Sequence, residues 1–162
     1  MVQYVCTRRQ VASTWLLLLC ASVALLLGGA IYFFMRPLPM VMEAVGFQSI
    51  SRISVHGHIE SFFGSLPSLL HVYAFSLFTV ASLENKTACS IRTTILLWIF
   101  VNLLFEFGQV SSLKAFWSEY SHAGAITPLA NYFLFGTFDW TDAGFSAIGG
   151  VVAYFNVYGR KS

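Results

Sequence analysis

Three polar side chains interrupt the apolar run IRTTILLWIFVNLLFEFGQV: Asn102, Glu106 and Gln109, spaced i, i+4 and i+7, which sets them on one face of a helix. A second set, Asp139, Asp142 and Ser146 in GTFDWTDAGFSAIGG, is spaced i, i+3 and i+7, and His71 lies inside a third run, LPSLLHVYAFSLFTVASL. A charged carboxylate at mid-bilayer costs about 2.5 to 3.5 kcal/mol on insertion scales, so acids in such runs point to function. Together these groups could support acid–base chemistry at Glu106 with His71 as its partner, and hydrogen bonding or metal ligation at Asp142. Each also has a plainer reading. Asp139 or Asp142 can cap a helix, Gln109 can sit at an interface, and Glu106 can pair with His71 only to hold helices together. Capping does not account for Glu106, which lies within a strongly apolar run.

The elements that would carry these residues follow from composition. The chain has 162 residues, of which 57% are hydrophobic and only 10% charged, against roughly 25% charged in a soluble domain. This is the composition of an integral membrane protein. Its net charge of +2 comes from scattered basic residues, so no basic patch suggests a nucleic-acid partner. Cys6, Cys20 and Cys89 form neither a CxxC motif nor a paired framework, and Leu19 before Cys20 argues against a lipoprotein signal.

Four stretches read as spans, at about 11–34, 66–83, 91–110 and 139–158; a crossing needs about 20 residues. The first is too long for a signal-peptide core and reads as an uncleaved helix. Positive charge orients them. With four spans, Arg8, Arg9, Lys86, Arg92, Arg160 and Lys161 fall on one side, and Arg36, Arg52 and Lys114 on the other. The richer side is cytoplasmic, so both termini are expected inside. The fold class expected is all-α: one membrane domain over residues 1–162, a four-helix bundle with two long extracytoplasmic connections. The NKT sequon at Asn85 then faces the cytoplasm and escapes glycosylation.

This topology sets His71, Glu106, Gln109, Asp139, Asp142 and Ser146 at about one depth near the outer interface. Ala143, Gly144, Ala147, Gly149 and Gly150 give the last span a small-residue face suited to close helix packing. In the first connection, two prolines in RPLPM stop the preceding helix, and SISRISVHGHIE alternates as a strand or an interfacial segment would. The second connection, KAFWSEYSHAGAITPLANYFLFG, is too apolar for a solvated loop; it should lie on the outer membrane surface or pack on the bundle, with room for a short amphipathic helix.

The quoted segments LLHVYAFSLF, NLLFEFGQ and GTFDWTDAGFSAIGG resemble the signatures of the VanZ-like family of small polytopic membrane proteins, over about residues 66–154. The resemblance implies that His71, Glu106, Gln109 and Asp142 are the matching site positions, in the inner (cytoplasmic) membrane of a bacterium. The chain departs from the family pattern where Pro67 and Ser68 replace Asp-Lys, Gly136 replaces Arg, and Ser146 replaces Asn. The missing cations leave the site poorly equipped for an anionic group.

Two functions remain. One is an outer-leaflet polar cluster that engages a cell-envelope or lipid-linked ligand. The other is an accessory or structural subunit of a larger membrane complex, to which the sixteen phenylalanines and four tryptophans are suited. A proton or ion path is weaker, because no ionisable group continues the cluster inward. Expected partners are therefore membrane lipids or other membrane subunits. No HExxH, GxSxG or P-loop motif is present, so the reading leans away from an enzyme and no cofactor is expected. His56, His58 and Glu60 are the nearest approach to a metal set, in a pattern common on exposed segments.

Overall fold

The computed structural model describes residues 11–35, 58–122 and 124–158; at residues 32–35 and 58–61 only the backbone is described. Among them the regular structure is entirely helical. Helix α1 is Thr14–Met35, α2 is His58–Ser82, α3 is Ala88–Gly108, α4 is Lys114–Tyr120, α5 is Thr127–Phe135 and α6 is Trp140–Tyr158.

Three helices are long and apolar enough to cross a membrane: α1, through Thr14–Ile31, α2, through Phe62–Ser82, and α3, through Ala88–Gly108. α6 is also long but is not among them, and its polar composition is the reason: Thr141, Asp142, Ser146 and Asn156 lower its apolarity.

Element boundaries differ from the sequence reading most at α2. The helix begins at His58 rather than at 66, and Pro67 lies buried within it. Proline is at home in the first helical turn, yet here it stands inside the helix. His58–Glu60 are helical, so the alternating pattern is not a strand there; the rest of that segment, and His56, lie outside the described residues.

The long helices pack through α1 on α2, α2 on α6, and α3 on both α2 and α6. At one end, the Lys86 ammonium donates to the Thr14 hydroxyl (2.7 Å) and the Ala12 N–H to the Val157 carbonyl (3.1 Å). This joins the start of α1, the α2–α3 turn and the end of α6. Thr87 caps α3 there, accepting from the Ser90 N–H at 3.1 Å. An apolar core of Leu17, Leu77, Val80, Ile91 and Val157 fills that end.

The opposite end is closed by the α3–α6 connection. It is neither extended nor loose. The Trp117 indole donates to the Gly108 carbonyl at 2.8 Å and stacks on Phe133 at 4.5 Å between centroids. Phe133 in turn lies on Gly108, where a Cβ would meet the ring at 2.5 Å. α4 and α5 are thereby folded back onto the end of α3.

Candidate functional site

α3 and α6 run antiparallel, and three contacts fix their register. Gly150 lies against Ile99; the Asn102 amide donates to the Ser146 hydroxyl; Gly136 abuts the Gln109 side chain. Glu106 is one turn beyond Asn102 and Asp142 one turn before Ser146. In an antiparallel pair both steps lead toward the same end, so Glu106 and Asp142 reach one level on the facing sides of the two helices. Both are only 6% exposed.

Small residues permit this approach. A Cβ on Gly149 would meet the backbone carbonyl of Leu69 on α2 at 2.4 Å, whereas one on Gly144 would meet nothing. Gly149 and Gly150 therefore form the seam of α6 with α2 and α3. Ser146, fully buried, accepts from Asn102 and donates to the Asp142 carbonyl at 2.7 Å, so it ties the start of α6 to α3.

Two residues lie at the margin. Asp139 is exposed and precedes α6; its carboxylate accepts from the Thr141 N–H at 2.8 Å and from the Thr141 hydroxyl, which is helix capping. Gln109 is buried immediately after α3, and its amide donates to the Tyr132 hydroxyl (3.2 Å) and to the Phe105 carbonyl (3.3 Å).

His71 is located through the pairing of α2 with α3. On α2 and α3, Phe75 stacks on Trp98 at 4.8 Å. One turn from Phe75 toward the polar end gives His71; one turn from Trp98 in the same direction gives Asn102. His71 thus stands across from Asn102. There it lines a cavity of about 350 Å³ with Phe75, Trp98, Asn102, Phe105 and Tyr132, over an apolar floor of Val72 and Val101. Asn102 belongs to both places, with one amide hydrogen on Ser146 and its side chain in the cavity wall.

Four polar residues of this end were not singled out as site residues from the sequence. Asn102 was recognised on the face of Glu106 but not assigned a role. Ser65 and Ser68 are buried on α2. Their i, i+3 spacing is the signal that could have found them. Tyr132 sits in an aromatic segment with no polar periodicity, and only the need of Gln109 for a partner would have pointed to it.

No group of three or more His, Cys, Asp or Glu side chains suited to a metal ion occurs among the described residues. Cys20 and Cys89 are free thiols. Set against family models, characterised proteins and solved structures, the chain matches none.

Proposed function

We propose that this chain is a VanZ-like, four-span integral membrane protein whose outer-leaflet polar cluster engages a cell-envelope or lipid-linked ligand. Buried Glu106, Asp142 and Ser146, with half-buried Asn102, form the framework of the cluster. The observation that carries the reading is the α3–α6 register, which lines up two buried carboxyl residues at one end of an otherwise apolar array.

The fourth crossing is supported by the distribution of residues around α6. Its polar Asp142 and Ser146 are buried, while Ile148, Val151, Val152 and Phe155 are exposed, Phe155 by 64%. A helix with its polar groups inward and its apolar groups outward suits a lipid surround. The N-in, C-in orientation rests on the basic residues that flank the Thr14–Lys86–Val157 end. Cys89, exposed in the first turn of α3, reports on it. With Cys6 and Cys20 replaced, an impermeant thiol reagent should modify Cys89 in inside-out vesicles and not in right-side-out ones; the reverse result would overturn the orientation.

The ligand reading is tested by gentle extraction and mass spectrometry of bound amphiphiles. Native protein should carry an envelope amphiphile that Glu106→Gln and Asp142→Asn variants lose while melting as the native chain does. Variants that retain it in full would remove the cluster from ligand binding.

A second reading, an accessory subunit in the inner membrane of a bacterium, is favoured by the exposed apolar side chains of the α3–α6 connection, among them Phe116, Ile126, Leu129 and Phe135. Purification of the chain without any accompanying subunit would count against it.

A further inference from the structure

The cavity between α2, α3 and α5 adjoins the carboxyl pair through Asn102 and has a different, largely aromatic lining. Its walls are aromatic and held rigidly: the Trp98 indole donates to the Thr79 hydroxyl at 2.9 Å, Thr79 donates to the Phe75 carbonyl at 2.9 Å, and Phe75 stacks on Trp98. Phe105 packs edge-on to Tyr132, with centroids 6.0 Å apart. Phe75 and Phe105 line the cavity and are also exposed on the helix surface, so it opens sideways. The flanking surface is apolar, with Leu97, Phe100 and Leu104 exposed along α3.

Its polar equipment is specific. Asn102 gives one amide hydrogen to Ser146, which leaves a second hydrogen to donate and a carbonyl oxygen to accept. His71 and Tyr132 stand in the same wall, and among the described residues no lysine or arginine lines it. A phosphate head would be desolvated there without a cation, at a cost of several kcal/mol. An uncharged head that both accepts and donates hydrogen bonds suits the wall. The volume, about 350 Å³, is near the lower end of ligand pockets, roughly 300 to 1,000 Å³. It holds a head and its linkages while the tails remain outside.

We propose that this groove binds a neutral glycerolipid of the diacylglycerol type. An ester carbonyl accepts from the Asn102 amide, the free hydroxyl donates to the Asn102 carbonyl, and the acyl chains leave over the apolar faces of α2 and α3. The proposal rests on the membrane location of the helices and not on any role for Glu106 or Asp142.

The test uses the full chain in phosphatidylcholine nanodiscs with two photoreactive probes, a diacylglycerol and a phosphatidylglycerol carrying the same diazirine tail. Adducts are mapped by mass spectrometry. The diacylglycerol probe should label the segments 72–75 and 101–105 in preference to the exposed α1 face at Leu19 and Leu26. Val101→Trp, which fills the groove, should abolish that labelling and leave the α1 adducts unchanged. Asn102→Leu, a milder change in volume should the first variant fold poorly, should reduce it by at least about three- to tenfold, the worth of one hydrogen bond. Equal groove labelling by phosphatidylglycerol would overturn the uncharged-head assignment. Labelling of the α1 face without the groove would overturn the site alone, whereas labelling of neither would overturn the membrane placement as well.

Discussion

At the end where Lys86 meets Thr14, the large buried side chains are Leu17, Leu77, Val80, Ile91 and Val157; where Trp117 meets Gly108, the buried set includes Ser65, Ser68, Glu106, Gln109 and Asp142. The first end is packed in the way of any protein core, and its few polar links, such as the Asn156 amide donating to the Tyr73 hydroxyl, join helices already in contact. At the second end polar side chains enter between the long helices, and the rings of α4 and α5 cover it. Polar side chains in lipid hold helices together by about 0.6 kcal/mol on average and seldom more than about 1.7, so polar burial of this extent adds less than close packing would. The difference teaches that the long helices meet through apolar side chains at one end and through polar ones at the other.

That contrast can be broken experimentally. Leu77→Ala, in the apolar end, should cost the most, about 2 kcal/mol or more from lost packing and the residual cavity, measured by unfolding in mixed detergent–SDS micelles; bound amphiphiles should be unchanged. Next comes Gly149→Ala, which drives a methyl into the Leu69 backbone carbonyl and should cost about 1 to 3 kcal/mol in the same assay. Ser146→Ala removes the acceptor of Asn102 and should lower stability by about 0.6 to 1.7 kcal/mol, less than Leu77→Ala. A loss equal to that of Leu77→Ala would show that the polar end carries the fold after all. Gly144→Ala meets open space and should remain within about 0.5 kcal/mol of the native chain.

Much of the polar end was legible because acids and amides are rare in apolar runs, and helical spacing alone put Asn102, Glu106 and Gln109 on one face. What spacing cannot give is rotation and stagger between helices. α2 starts at His58, with Pro67 inside it, where the sequence suggests a start at Leu66, and only the Phe75–Trp98 stack shows that His71 lies across from Asn102. Asp139 and Asp142 separated as local physics allows: a residue just before a helix meets free N–H groups, whereas one a turn further in faces the neighbouring helix. The folding of α4 and α5 onto Gly108 was not legible, because aromatic-rich segments lie on a membrane or on a protein equally well until their partner, here a bare glycine backbone, is known.

The hydrogen bond from Ala12 to Val157 bears on the order of assembly. During synthesis the amide of Ala12 emerges early, and its acceptor is among the last parts of the described chain to be made. α1 can dock on α2 well before then, but that end of the array closes only when α6 has slid its glycine face between α2 and α3. A chain lacking α6 would therefore leave α1–α3 with an unfilled seam and the Ala12 N–H without its acceptor.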